Sequence, residues 1–313
     1  MAFDWKQYLF DFWDGVKANN DTEWKYGVDA AGWRKESHVP YIGDYHPMHV
    51  MNLYYPAAWD GRGQLPAIIY IHGGGWLYGT ADDSERYLGW LAAQGYAVMA
   101  MNYRLLRETD LQGVVSDIFT ALHWLAAYGP ERGFDLEKVL LCGDSAGGHL
   151  TVLSACIQQS EKLRQIYRVR PLDFSFGALC VSCPCAETDR LYINGAPGTE
   201  TGEKTAAAYR ELLLGEEGED AAWSRWMSAS ETMQGLRLPP LLLIGSENES
   251  LYAQTQCLLK SLIETGQAYD TLIWKKEDGA HLIHAFNVSH WEWKESLESN
   301  RRMLDFFREQ IGF

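Results

Sequence analysis

The chain has 313 residues, 47% of them hydrophobic and 22% charged, and its 27 Lys and Arg against 42 Asp and Glu leave a formal net charge of −15. That acidic balance repels nucleic-acid phosphates and anionic lipid surfaces, which argues against nucleic-acid binding and against membrane docking by charge. The length suits one large α/β domain or two small ones with a substantial core, and no apolar run reaches the ~18 residues that span a bilayer. Met1 to Lys6 show no basic segment ahead of an apolar stretch, so no signal peptide is expected and a cytoplasmic location is the expectation. The six cysteines (Cys142, Cys156, Cys180, Cys183, Cys185, Cys257) are scattered and fall mostly in expected strands or helices, as buried free thiols do.

In chain order, residues 1–45 are rich in aromatic side chains (Trp5, Tyr8, Trp13, Trp24, Tyr26) and match no motif. They are expected to form an N-terminal cap over the mouth of a site, with a contact to a second copy of the chain as the alternative. From residue 46 onward strand and helix alternate. A strand over 49–55 is stopped by Pro56, and a second covers 66–71. A helix over 84–94 ends at Gly95, and a strand over 96–101 follows. Apolar residues at 114, 115, 118, 122, 125 and 126 repeat with helical periodicity up to Tyr128. A strand over 138–142 and a helix over 149–156 come next, then strands near 176–182, 238–244 and 270–274, and a closing helix over 297–311. Such alternation implies an α/β fold with a mostly parallel central sheet and helices on both faces. Residues 186–235 interrupt the pattern with Gly195, Gly198 and Gly202, an acidic turn at 216–220, and Trp223 and Trp226, and read as a lid insertion.

The chemistry concentrates at two motifs. Gly143-Asp144-Ser145-Ala146-Gly147-Gly148 lies between an apolar strand and a helix. A serine on a sharp strand-to-helix turn projects its hydroxyl above the sheet, and the flanking glycines leave room for the crossing backbone. Upstream, the 66–71 strand ends in His72-Gly73-Gly74-Gly75-Trp76. A triple-glycine loop can aim bare N–H groups of Gly74 and Gly75 at a carbonyl oxygen turning tetrahedral, with the N–H of Ala146 as the remaining oxyanion-hole donor. His72 itself reads as a residue that holds the loop, and Trp76 as a candidate for the pocket wall.

These two motifs, with Met101-Asn102-Tyr103-Arg104-Leu105 between them, resemble the α/β-hydrolase fold, in particular hormone-sensitive-lipase-like esterases and their bacterial acetyl-esterase relatives. The resemblance runs from about residue 48 to the C-terminus. It implies a catalytic serine at Ser145, an acid after a late strand, and a histidine near the end of the chain. The acid loop reads Gly245-Ser246-Glu247-Asn248-Glu249-Ser250-Leu251, without the aspartate usual in relatives. Glu249 is the expected acid, with Asn248 the match on a shorter spacing and Glu247 and Asp189 as alternatives. His284, in His284-Ala285-Phe286, is the expected base, with His281 as the alternative. A metal pair formed by these two histidines lacks a third ligand at a suitable spacing, so neither metal nor cofactor is expected. The implied function is hydrolysis of a small-molecule carboxylic ester with a short, acetyl-type acyl chain. The alternatives are a small amidase or peptidase on the same fold, and a ligand-binding homologue without turnover.

Overall fold

The structure is a computed structural model and describes residues 3–23, 31–192 and 196–312. Trp24, Tyr26 and Gly195, singled out above, lie outside the described residues. The elements in chain order are α1 (Trp5–Glu23), β1 (Trp33–Pro40), β2 (Val50–Pro56), β3 (Leu65–Ile71), α2 (Glu85–Ala93), β4 (Ala97–Met101), α3 (Leu111–Tyr128), β5 (Phe134–Asp144), α4 (Ser145–Gln159), α5 (Glu161–Tyr167), β6 (Ala178–Ser182), α6 (Glu200–Leu214), α7 (Ala229–Thr232), β7 (Leu241–Ser246), α8 (Tyr252–Glu264), β8 (Tyr269–Trp274), α9 (Phe286–Ser289) and α10 (Lys294–Ile311).

The strands form one sheet in the order β1-β2-β4-β3-β5-β6-β7-β8. The β1–β2 and β2–β4 pairs are antiparallel, and every pair from β4–β3 onward is parallel. Strands β4, β6 and β7 are buried along their whole length, as a parallel sheet covered on both faces requires. Alternation along the strands divides the core into two layers. Ile69, Leu141, Val181 and Leu243 pack on one side with residues of α3, α4 and α6, while Ile68, Tyr70, Leu140 and Leu242 pack on the other with α2 and α10.

Three differences from the sequence expectations have local causes. Residues 33–40, included above in an N-terminal cap segment, form β1 at the sheet edge, where a half-exposed polar strand satisfies its backbone on one side only. Helix α3 begins at Leu111, three residues before the apolar repeat, because Asp110 caps it by accepting a hydrogen bond from the Gly113 N–H at 2.9 Å. Strand β5 starts at Phe134 and runs to Asp144, so that α4 begins at Ser145 itself. Among the described residues no helix is long and apolar enough to cross a membrane.

Candidate active site

Strands β3, β5 and β7 are parallel, so their C-terminal ends deliver His72, Ser145 and the loop holding Glu249 to one edge of the sheet, the place where open α/β sheets hold ligands. Ser145 takes φ +52°, a left-handed conformation unusual for a side-chain-bearing residue. The turn is possible because of its glycines: a Cβ on Gly147 would stand 2.0 Å from the Ile71 carbonyl oxygen, and one on Gly143 would stand 2.5 Å from that of Gly147.

The residues around the serine tie the two motifs together. The Asp144 carboxylate accepts hydrogen bonds from the Tyr70 hydroxyl and, at 3.2 Å, from the Gly73 N–H. Burial pushes the Asp144 carboxyl up from its ordinary range, partly opposed by the Tyr70 bond and by the charge of His284. His72 Nδ1–H donates to the Gly73 carbonyl at 2.8 Å, its ring stacks on Tyr103 at 4.3 Å, and its own carbonyl accepts from the Tyr103 hydroxyl at 2.8 Å. Burial lowers His72 to about 4, so the ring is neutral at pH 7 and holds the loop in place. Gly74, at φ +103°, occupies a conformation that favours glycine, and its carbonyl accepts from the Leu77 and Tyr78 N–H groups at 3.0 Å each. Gly75 lies under the Trp13 ring, which leaves no room there for a side chain. Ala146 follows the serine as the second residue of α4, fully buried, at a helix start whose first N–H groups have no intrahelical acceptor.

Glu249 is buried, and one of its carboxylate oxygens accepts from His284 Nδ1–H at 2.7 Å. The other accepts from the Thr255 hydroxyl of α8 at 2.7 Å. The alternatives are engaged elsewhere. Asp189 bonds Arg210, which also holds Glu219. Glu247 pairs with Lys275 at 2.9 Å, and the Asn248 amide donates to the Gly279 carbonyl at 2.9 Å. His281 is exposed and 3.4 Å from Glu295. Of the carboxylates weighed from sequence, Glu249 is the one that meets His284.

The sequence reads Cys183 as one of several buried free thiols without a metal partner motif, and does not single out Thr255 or Tyr209. Cys183 brings a thiol close to the Glu249–His284 pair, and the ligand atoms of the three lie within 4.8 Å of one another. Burial, then the charge of Glu249, holds that thiol well above its usual range. Cys185 donates its N–H to the Ser145 carbonyl at 3.0 Å, and burial pushes its thiol to about 12.

Ser145 and His284 both line a cavity of about 300 Å³, walled in part by Trp13, Trp76 and Tyr209. The Trp13 indole N–H donates to the Tyr209 hydroxyl, joining α1 to α6 across the cavity. Trp13 belongs to the aromatic-rich N-terminal segment and Tyr209 to the 186–235 segment read as a lid, but the sequence does not pair the two.

A family model described as alpha/beta hydrolase fold matches residues 68–286. The structure is similar to that of esterase B from Lactobacillus rhamnosis, with a TM-score of 0.92 and 40% sequence identity, over 98% of this chain and 95% of that one. Among curated proteins, the chain is similar to esterase LipI of Mycobacterium tuberculosis, 31% identical over 104 residues, and to the carboxylesterase/phospholipase LipF of the same organism, 26% identical over 257 residues. These alignments cover 33% and 80% of this chain. They span 32% and 63% of the relatives' own lengths, less than two thirds in each case. A family match running from β3 past the loop that carries His284, on a sheet of this topology, means that the chain belongs to the alpha/beta hydrolase fold family, among relatives that are esterases and carboxylesterases by name.

Proposed function

We propose that the protein is a serine carboxylesterase that hydrolyses short-acyl esters through an acyl-enzyme. The observation that carries this reading is the 2.7 Å hydrogen bond from His284 to the buried Glu249, with the same imidazole and Ser145 facing one cavity. His284 takes the Ser145 hydroxyl proton as the oxygen bonds to the ester carbonyl carbon, and Glu249 holds the imidazole tautomer and balances the imidazolium. The N–H groups of Gly74, Gly75 and Ala146 receive the oxyanion, each worth about 3 kcal/mol of transition-state stabilisation. Collapse breaks the bond to the alkoxide, which leaves with the proton from His284. Water then repeats the sequence on the acyl group, releasing the acid and restoring the serine.

The short-acyl preference is supported by the limited cavity and by the indole and phenol rings of Trp13, Trp76 and Tyr209 in its wall. In this reading α1 acts as a cap and the 186–235 segment, through α6, as a lid. The crystallisation of esterase B with a C4-C4 tributyrin phosphonate agrees with small acyl groups in a relative of the same fold.

The test is turnover of p-nitrophenyl acetate, butyrate and octanoate by the wild type and by Ser145→Ala. We expect activity on the two short esters, a decline with octanoate, and a loss of roughly 10⁴-fold or more in the variant. A folded wild type that turns over none of the three, or a variant that retains the rate, refutes the reading.

A further inference from the structure

Strand β6 lies between β5, which leads to Ser145, and β7, which leads to Glu249, and itself carries neither the nucleophile, the acid nor the base. Residues 182–187 at its end nevertheless meet the segments that carry all three. The Ser182 hydroxyl accepts from Asn287 Nδ2–H, just past His284, at 3.0 Å. The Cys183 N–H donates to the Ile244 carbonyl of β7 at 2.9 Å, and the Cys185 N–H to the Ser145 carbonyl at 3.0 Å. The Ala186 and Glu187 N–H groups donate to the Gln254 side-chain carbonyl of α8, the helix after Glu249, at 2.9 and 2.8 Å.

Within this segment Cys183 is fully buried and takes φ +46°, in the region that favours glycine. Ser145 and Ala285, the residue after His284, share that conformation at φ +52° and +55°. Glycine is the low-strain choice there, so a cysteine implies a use for its side chain. That side chain faces the acid and the base: its Sγ, a Glu249 oxygen and a His284 nitrogen lie within 4.8 Å of one another. The thiol shares hydrogen bonds with the Glu249 carboxylate and with the Ala285 backbone. A carboxylate can only accept, so the S–H donates to Glu249 and the Ala285 N–H donates to the sulfur. A thiol is a weak donor in water, but a charged acceptor and a buried setting strengthen the bond.

We propose, resting on the carboxylesterase reading, that Cys183 is a positioning residue for the reaction: its thiol ties the Glu249 carboxylate to the backbone that follows His284, and so holds acid and base in register. Glu249 then takes donors from three elements, His284 before α9, Thr255 of α8 and Cys183 at the end of β6. Cys183 does not line the cavity that Ser145 and His284 share. Its loss therefore acts on the alignment of Glu249 and His284 rather than on substrate contacts, and shows in kcat rather than in KM.

The experiment measures kcat and KM on p-nitrophenyl butyrate for Cys183→Ala and Cys183→Ser, each alone and combined with Glu249→Gln. Rates are taken per mole of folded protein, from the amplitude of the unfolding transition. Cys183→Ala is expected to lower kcat about ten-fold with KM changed by less than about two-fold. Cys183→Ser keeps a donor, and its kcat should return to within about three-fold of the wild type. In the Glu249→Gln background the alanine change should cost less than about two-fold, because the charge that the thiol serves is gone. Cys183→Gly suits the positive φ and repeats the thiol deletion, with the same expectation, should the alanine variant fail to fold. A kcat near wild type in the folded thiol deletion, a serine variant no better than that deletion, or an equal loss in both backgrounds overturns the positioning role. In those cases Ser145-dependent turnover by the wild type leaves the esterase reading standing. A folded wild type without turnover overturns both.

Discussion

A glutamate stands at position 249 where the sequence resemblance leads one to expect an aspartate. A glutamate side chain is one methylene longer and needs more restraint to present a carboxylate at a fixed point. The structure supplies that restraint from Thr255, whose hydroxyl grips the oxygen that His284 leaves unused. Replacing Glu249 with Gln keeps the shape and removes the charge, and kcat should fall by about 10³- to 10⁴-fold. Steady-state kinetics on p-nitrophenyl acetate reads the effect, and near-normal kcat would take the acid role away from Glu249. Thr255→Val should cost less, on the order of a few-fold to ten-fold in kcat with KM little changed, as expected of a positioning residue. Histidines elsewhere give a prediction about stability. His72 and His149 are buried and lowered to about 4 from an ordinary 6.5. Between those values the unfolded chain binds protons that the folded chain refuses, so stability falls as pH drops through that window and is level above it. Each group contributes on the order of 3 kcal/mol across the full window. Urea unfolding at pH 7 and pH 5 should show the fall, and His149→Leu should make it shallower; a pH-independent midpoint contradicts this account.

At the scale of elements, the placement of α1 has the most consequence. Its Leu9 is fully buried, its Trp13 ring rests on Gly75, and its Phe12, Trp13 and Val16 reach the cavity. The aromatic richness of residues 1–45 was visible in the sequence, but helical periodicity cannot say which distant element a helix covers. Contact between Trp13 and Tyr209, 196 residues apart, is a property of the folded chain. Trp13→Ala removes a wall and the hydrogen bond to α6. The ratio of kcat/KM for p-nitrophenyl octanoate over butyrate is expected to rise by about ten-fold, in line with ~1–3 kcal/mol for reshaping an apolar pocket. An unchanged chain-length profile would mean that acyl length is limited elsewhere. β1 marks the other boundary of sequence reading at this scale. Its eight residues, Trp33–Pro40, lack a clean apolar alternation because an edge strand needs only one partner, so nothing in the sequence separated them from the segment before.

For the molecule as a whole, the two core layers enclose most of the thiols. Cys142, Cys156, Cys180, Cys183 and Cys185 are buried and Cys257 is half-buried, all as free thiols. Titration with a thiol reagent should therefore modify Cys257 alone in the native state and all six cysteines after denaturation, while dithiothreitol leaves the Tm unchanged. Rapid native modification of several thiols would show that the core opens far more readily than its burial implies. The chain by itself determined the alternation of strand and helix, the serine turn and the glycine loop, because these depend on local backbone geometry: a buried strand reads as an apolar run, and only glycines permit the close crossings at 143 and 147. Tertiary structure decided what depends on distance in space rather than in sequence. It paired Glu249 with His284 while engaging Asp189, Glu247 and His281 with other charges, and it brought residues of α1 and α9 to line the same cavity. Hydrogen bonds and packing act over a few ångströms, and only the folded chain brings Trp13 to Tyr209 and Glu249 to His284 within that reach.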